Sequence, residues 1–278
     1  MTFLENMMKI DRRWIYLAIG LAVIIPAFLG FKVPVAVSPE VKKIYDFIEG
    51  IKPGEHLFLA MDYDPTSQAE LSPMAEAILR HAFAKNVKVV IVTLAQFGPG
   101  MVQDVTRRIA DDLHKQYGID YCFLGYRPYP SITILYMGVD FRLPFPKDYS
   151  GTPLDSLPVM KGVKNYGSVK GVIDLTSGNT ADMWLVDGNG RYGFPLAIGI
   201  TGVMAANYYQ YLQSDQLFGI IPGIKGAAEY ESLIKTPGDG MKQAAYQVVA
   251  HSVIILFIIL SNVAFFVTRK KAKIGGAK

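Results

Sequence analysis

The sequence predicts an α/β domain with a mostly parallel, doubly wound sheet of about six strands, flanked by one transmembrane helix at each end. Three observations support this prediction. Short apolar runs alternate with amphipathic stretches through the middle of the 278-residue chain, as in parallel sheets covered on both faces. Two longer apolar runs without charge lie near the chain ends. Lys and Arg cluster on the outer side of each long run.

The two long apolar runs have the length of membrane spans. The first, Trp14–Phe31, has 18 residues and as a helix would extend about 27 Å, close to the hydrocarbon thickness of a bilayer. The second, Tyr246–Val267, has 22 residues and can span with some tilt. A shorter run, Phe194–Ala206, suits a buried helix better than a third span, although contact of residues 194–212 with the membrane stays open.

The basic residues at the ends predict the orientation. Lys9, Arg12 and Arg13 precede the first run, and five basic residues follow the second, so both termini are predicted to be cytoplasmic. A cleaved signal peptide is the alternative for the N-terminus, but Pro39 would follow the best small-residue cleavage site, which favours an uncleaved anchor. The predicted parts are a tail and first span (1–31), an extracytoplasmic α/β domain (32–245), and a second span with a basic tail (246–278).

The distribution of charge indicates which partners the chain can have, and the cysteine count indicates whether a disulfide can form. Of the net charge of +4, residues 1–13 carry +1 and residues 268–278 carry +5, which leaves −2 for the rest of the chain. Without clustered positive charge in the domain, a nucleic-acid partner is not predicted. The predicted partners are the lipid bilayer and other membrane-protein subunits or a second copy of the chain. Cys122 is the single cysteine, so an internal disulfide is impossible. We predict that Cys122 is a small, buried apolar residue.

The central domain is built from alternating predicted elements, in a Rossmann-like order. Ser38, Pro39 and Glu40 are typical of a helix start, and later starts and stops fall at similar turn residues. Strands are predicted at residues 56–62, 87–94, 120–125, 131–138, 170–177 and 217–223, and helices at 39–51, 66–85, 101–117, 195–212 and 224–234. Residues 126–168, rich in proline and aromatic residues, predict either a lid or contact surface, or a packed connection over the sheet.

The most specific motif follows the first predicted strand, where the sequence reads Asp62-Tyr63-Asp64-Pro65-Thr66. Two carboxylates at the carboxyl end of a parallel strand can hold Mg²⁺, or one can attack phosphorus while the other moves a proton. This spacing resembles the first motif of haloacid-dehalogenase-type phosphatases. The resemblance implies catalytic and metal-binding roles for Asp62 and Asp64, and places Thr93 at that family's second motif.

The resemblance covers about fifteen residues and then departs from the family. A lysine for the third role is not evident, Asp111 and Asp112 fall inside a predicted helix, and the family's insertion after the first motif is missing. The other interpretation is that Asp64-Pro65 forms a turn and that Thr66 or Ser67 caps the next helix. In those roles asparagine would serve nearly as well as aspartate.

A second motif, Gly188–Gly193, fits the G-x-G-x-x-G pattern of dinucleotide-binding loops and follows an apolar stretch. The next predicted strand, however, ends in Pro222-Gly223 and does not supply the acidic residue that such loops need for the ribose. A tight turn is the preferred interpretation of residues 187–190.

A third polar segment, Thr176, Ser177 and Asn179, follows the fifth predicted strand and would share an edge with Asp62. The four histidines lack metal-ligand spacing. The candidate ligand-binding residues are therefore Thr66, Thr93, Thr176, Ser177 and Asn179. We predict no cofactor, with Mg²⁺ required only if Asp62 and Asp64 are catalytic.

Two functional hypotheses follow. The favoured one is a non-catalytic domain that binds a ligand or partner as a subunit of a membrane assembly. The other is a metal-assisted hydrolase of phosphate esters that uses Asp62 and Asp64. The surroundings of these two carboxylates distinguish the hypotheses.

Overall fold

The computed structural model describes residues 11–29 and 34–275, except for the side chains of Leu29 and residues 268–275. It divides into two units: Val35–Met241, which is the α/β domain, and a terminal unit, Met1–Pro34 with Lys242–Lys278.

The α/β domain is built on one sheet of six strands, all of them parallel. The strands are β1 (His56–Asp62), β2 (Lys88–Thr93), β3 (Tyr121–Tyr126), β4 (Val172–Thr176), β5 (Leu196–Ile200) and β6 (Gly219–Pro222). Their spatial order is β3-β2-β1-β4-β5-β6. The chain builds outward from β1 to β3 and then returns to place β4 on the other side of β1. The predicted α/β class with a parallel, Rossmann-like sheet is confirmed.

One face of the sheet is covered by the helices that the sequence predicted best. They are α2 (Pro39–Gly50), α3 (Gln68–Ala84), α4 (Pro99–Asp112) and α10 (Gly223–Leu233), and they pack side by side. Gly199 of β5 shows how closely this layer approaches, because a Cβ there would lie 2.4 Å from Leu175 Cδ2 and 2.9 Å from Met74 Sδ. Strands buried on both faces explain why their sequences are continuous apolar runs.

The other face is covered by short elements and by the proline-rich segment. These are α5 (Pro130–Val139), α6 (Thr180–Met183), a π-helical segment (Trp184–Asn189), α7 (Gly190–Tyr192), α8 (Gly202–Ala205) and α9 (Tyr209–Gln213). Aromatic rings fill this layer: Tyr166 lies 4.5 Å from Phe194 and 5.8 Å from Phe58, between ring centroids. Phe141 and Phe145 are fully buried, so residues 126–168 include a packed cover of the sheet.

Three local predictions were wrong. Residues 131–138, predicted as a strand, lie in helix α5, which begins at Pro130. Residues 195–212, predicted as one helix, contain strand β5 and two short helices, and β5 is buried within the sheet. Residues 187–190, predicted as a tight turn, lie in the π-helical segment and the start of α7. Short apolar runs fit a buried strand or a buried helix equally well, and packing decides between them.

The terminal unit contains helix α1 (Arg12–Leu29) and, from Lys242 on, helix α11 (Asp239–Gly275). Within residues 11–29 and 34–275, one helix is long and apolar enough to cross a membrane, namely Asp239–Val267, with 29 residues and a mean hydropathy of 2.4. The predicted first span, Trp14–Phe31, ends outside the described residues. One apolar helix is thus found, and a transmembrane helix at each end stays a prediction.

A buried carboxylate in the α/β domain holds the start of α11. Glu231 is 3% exposed and accepts hydrogen bonds from the backbone N–H groups of Gly238, Gly240 and Met241, at 3.0, 2.9 and 2.8 Å. A Cβ at Gly238 would lie 2.6 Å from Glu231 Oε1, so glycine is required for this close approach. The carboxylate satisfies donors that a helix N-terminus leaves unpaired.

Candidate functional site

The strand order places a switch point between β1 and β4, where connections leave the sheet in opposite directions. Ligands of open parallel sheets bind at such points, beyond the carboxyl ends of the strands. The candidate residues named from the sequence all lie at this edge or next to it, either as the last residues of β1, β2 and β4 or in the turns that follow β1 and β4. They are Asp62, Asp64, Thr66, Thr93, Thr176, Ser177 and Asn179.

Asp62, the last residue of β1, lies inside the protein and binds two neighbouring segments. It is 4% exposed. Its Oδ1 accepts a hydrogen bond from the backbone N–H of Leu94 at 2.6 Å, and its Oδ2 accepts one from the indole Nε1–H of Trp184 at 2.9 Å. Asp62 thereby joins the end of β2 and the π-helical segment to the central strand. π-Helical segments are frequent at functional sites, and this one places the Trp184 indole N–H against the Asp62 carboxylate.

Asp174 on β4 is the partner of Asp62 that sequence reasoning missed. It pairs in register with Ala60, two residues before Asp62, so both carboxyl groups lie on the same face of adjacent strands. Asp174 is fully buried, and neither of its oxygens accepts a hydrogen bond from a donor group in residues 11–29 or 34–275. An acidic residue inside an apolar strand was the signal, because a buried carboxylate requires a partner.

Burial raises the pKa of both carboxyl groups in this pair. The pKa of Asp174 lies well above its ordinary value because of burial first, and then because of the negative charge of Asp62 and the hydrogen bond between the two groups. Burial also raises the pKa of Asp62, while bonds from Trp184 and Leu94 oppose that rise. Burial thus opposes the ionisation of both groups, and it does so most strongly at Asp174.

Asp64 has a different environment, at the surface of the turn after β1. Its Oδ1 accepts hydrogen bonds from the Thr66 backbone N–H at 2.9 Å, from Thr66 Oγ1 at 2.6 Å and from Ser67 Oγ at 3.4 Å. The hydrogen bond from the Thr66 hydroxyl is the largest cause that lowers the pKa of Asp64. Helix α3 begins at Gln68 after Ser67, so Thr66 is part of the turn and is not the cap.

The hydroxyl groups at this edge bind the backbone and each other. Thr93 is fully buried, donates to the Met61 carbonyl at 2.8 Å and accepts from the Ala95 N–H at 3.2 Å. Its hydroxyl therefore fixes the end of β2 against β1. It occupies a structural position next to Asp62.

The loop after β4 is joined to the turn after β1 by a pair of serines. Ser67 Oγ donates to Ser177 Oγ at 2.8 Å. Thr176 Oγ1 lies 2.5 Å from Thr180 Oγ1 and accepts from the Gly178 N–H at 3.1 Å. Asn179 is exposed and precedes α6. Ser177 thus comes together with the Asp64 turn at the surface, while Thr176 lies beneath it.

The edge therefore has two levels: a buried pair, Asp62 and Asp174, and a group at the surface, Asp64, Thr66 and Ser177, which the buried Ser67 joins through hydrogen bonds. Within the described part of the chain, no three His, Cys, Asp or Glu side chains are placed to hold a metal ion together. Both motif carboxylates accept hydrogen bonds from protein donors, Asp62 inside the domain and Asp64 in its own turn. What the residues of this edge can do is hold the strand ends rigidly and present hydroxyl groups at the surface.

The Gly188–Gly193 motif has none of the context of a dinucleotide-binding loop. Its residues lie in the π-helical segment, in α7 and just after it, instead of in a turn between a strand and a helix. Gly188 is buried, and a Cβ there would lie 2.9 Å from Phe194 Cζ. The glycine is required for close packing in the aromatic layer.

The fold and this edge define a class: a parallel α/β domain of Rossmann-like strand order with a polar switch-point edge. Comparison with known proteins supports no assignment beyond that class. No family model matches the chain, and no curated protein matches it. A solved structure described as trehalose-6-phosphate synthase, OtsA, is similar at 11% identity with a TM-score of 0.29, over 85% of this chain. The chain spans about half, 47%, of the length of that synthase, and so low a TM-score carries no argument about function.

Proposed function

We propose that the chain is a membrane-anchored protein whose extracytoplasmic α/β domain binds a ligand or partner without catalysis, as a subunit of a membrane assembly. The observation that carries this proposal is the state of the two motif carboxylates. Asp62 is buried and accepts from Leu94 and Trp184, and Asp64 accepts from its own turn. A nucleophile or metal ligand needs lone pairs that face a substrate.

The membrane part of the proposal is supported by the apolar terminal helices and their basic flanks. The helix segment Asp239–Val267 has the length of a span, and most of its apolar side chains are exposed. Asn262 is a polar residue in this segment, and its Nδ2 donates to the Ile258 carbonyl of the same helix at 2.9 Å. The amide is thereby partly satisfied before any neighbouring subunit is considered.

The topology can be tested with single cysteines placed at Lys273 and Lys147, since Lys147 is exposed on the α/β domain. We expect a membrane-impermeant maleimide, added to intact cells, to label the cysteine at 147 and to label the one at 273 only after permeabilisation. The parent chain is the control, because its Cys122 is fully buried and burial raises the pKa of its thiol. Equal labelling of both positions from one side would contradict the topology.

The absence of catalysis can be tested with the purified full chain. We expect hydrolysis of p-nitrophenyl phosphate in the presence of Mg²⁺ to stay at the rate of a mock purification, and to be unchanged in Asp64→Asn. Asp64 is the informative position, because asparagine can keep the turn while removing the charge that chemistry would use. A metal-dependent rate that is lost in Asp64→Asn would establish the hydrolase hypothesis instead.

A further inference from the structure

Helix α5 presents a row of apolar side chains to solvent. Its exposed positions Ile132, Tyr136 and Val139 follow the spacing of three and four residues that places side chains on one face of a helix. Tyr129 lies directly before the helix and Leu143 in the turn after it, and both are exposed as well. The five side chains, here called the α5 stripe, are 51 to 74% exposed.

The outward face of another helix of the domain shows how unusual the α5 stripe is. From residue 101 on, every exposed side chain of α4 is charged or an amide: Gln103, Asp104, Arg107, Arg108, Asp111 and Asp112. Residues 128–139, in contrast, contain no charged side chain. A helix that buries one face in the domain normally presents a polar face to water, so the α5 stripe has the composition of a surface that is covered.

The area of the α5 stripe matches what a stable pair of chains needs. With about 200 Å² for a whole tyrosine side chain and about 150 Å² for an aliphatic one, the exposed fractions amount to roughly 500 Å². Apolar atoms make up about 65% of an interface between identical chains, so this area corresponds to about 800 Å² per copy. That is the size of a standard specific interface.

The absence of charge favours a second copy of the chain as the occupant. Around a two-fold axis the central residues meet their own copies, so a charged residue there would face a like charge. An anionic membrane surface would instead call for free basic groups beside the apolar face. The arginines next to the stripe in the sequence are already engaged. Arg127 donates to the Pro144 carbonyl at 2.6 Å, and Arg142 pairs with Asp155 at 2.5 Å.

The backbone at the start of the α5 stripe is fixed before any contact. Tyr129 has a left-handed conformation (φ 59°, ψ 69°), which is costly for a bulky residue, and it lies between Pro128 and Pro130. The Thr133 N–H donates to the Tyr129 carbonyl at 3.0 Å, and Thr133 Oγ1 donates to the Pro128 carbonyl at 3.1 Å. A surface that is ordered in advance lowers the entropic cost of binding.

We propose that two copies of this chain bind each other through the α5 stripe, around a two-fold axis that passes near Tyr136. Tyr136 then faces its own copy, and Ile132 and Val139 pack on either side of it. The inference rests on the proposed function in one respect, because it names the partner that the domain binds. It uses no residue of the switch-point edge or of the terminal helices, so it can fail while the topology and the lack of catalysis stand.

The contact can be tested by disulfide cross-linking of the full chain in its membrane. Ile132→Cys and Val139→Cys carry different affinity tags, are expressed separately and together, and are oxidised with copper phenanthroline. A disulfide forms only where two Cα atoms come within about 7 Å. We expect a linked pair of copies, from Ile132→Cys with Val139→Cys if the helices are antiparallel, and from each variant with itself if they are parallel. The parent chain gives the background, because its Cys122 is fully buried.

Charges placed at the axis distinguish a second copy from any other occupant. Tyr136→Glu in both copies should lower the yield of linked pairs at least tenfold, because two like charges then meet. Tyr136→Glu in one copy with Tyr136→Lys in the other should restore the yield, which a contact with lipid or with a different protein would not do. Val203→Glu, at an 88% exposed valine of α8, is the matched control and should leave the yield unchanged.

Thermal unfolding separates loss of contact from loss of fold. Tyr136 is half-exposed, so its variants should melt at the temperature of the parent chain. Absence of linked pairs in every combination would leave the face to the bilayer or to a different protein and would overturn the proposal. So would a yield that Tyr136→Glu leaves unchanged, or one that the pairing of Glu with Lys does not restore.

Discussion

Replacing Asp174 with asparagine is expected to stabilise the protein at pH 8, by roughly 1 to 3 kcal/mol in the free energy of unfolding. The parent carboxyl group is fully buried, and burial raises its pKa in the folded state. Asparagine has nearly the same shape, carries no charge at any pH, and can donate its amide N–H to Asp62. Fluorescence of Trp184, which is buried beside Asp62, reports the unfolding transition.

The sign of this change in stability follows from how the stability of the parent protein depends on pH. Burial raises the pKa of folded Asp174, whereas the unfolded group titrates near its ordinary value of about 4. The stability from the bound proton is fully present below that value and is lost as pH rises toward the folded pKa. The loss is at most about 1.4 kcal/mol per pH unit. The two proteins should therefore have similar stability near pH 4, and their stabilities should diverge above it.

Asp104→Asn, at an exposed position on α4, is the matched control and should change stability by less than about 0.5 kcal/mol at any pH. An Asp174→Asn variant that is less stable than the parent at pH 8 would contradict the prediction. It would mean that Asp174 is ionised and favourably paired in the folded protein.

Replacing Asp62 is expected to have the opposite effect and to be the most damaging single change at the switch-point edge. Asp62→Ala leaves two buried donors, the Leu94 N–H and the Trp184 indole N–H, without acceptors. Each costs about 1 to 3 kcal/mol, so the total is roughly 2 to 6 kcal/mol. For a domain of this size, that lowers the melting temperature by about 5 to 20 °C.

The amide variants at Asp62 and Asp64 separate the two carboxylates. In Asp62→Asn the amide N–H₂ must face one of two N–H donors, so we expect a loss of about 1 to 3 kcal/mol. In Asp64→Asn the amide oxygen can still accept from the Thr66 N–H, so the loss should stay below about 0.5 kcal/mol. Equal losses of stability in the two variants would contradict the role of Asp62 as a buried hydrogen-bond acceptor.

The different effects expected for Asp62→Asn and Asp64→Asn revise the interpretation drawn from the motif alone. Asparagine was expected to replace either aspartate with little change, since both were interpreted as turn or cap residues. The structure keeps that expectation for Asp64 and reverses it for Asp62. One residue separates these positions in the sequence, yet Asp64 is at the surface and Asp62 is 4% exposed, because β1 ends between them.

The sequence by itself determined the class of the fold and the placement of most elements. Five of the six strands were predicted within a few residues, because continuous apolar runs between turn residues are a local signal. The long apolar runs at the chain ends predict a span at each end, and the described structure contains one helix that meets the length and hydropathy of a span. The apolar runs at 131–138 and 195–212 were assigned wrongly because both are short enough to suit either element.

Only the tertiary structure decided what the polar residues of the edge do. Asp62 meets Asp174 because β4 returns to the far side of β1, and it meets Trp184 because a π-helical segment folds back over that face. These partners are 112 and 122 positions away in the chain. Periodicity and turn residues report on neighbours within a few positions, whereas the burial and pairing of a carboxylate depend on which distant strands lie beside it. The same carboxylate group is part of a surface turn at Asp64, and at Asp62 it is a buried acceptor beside a second carboxyl group.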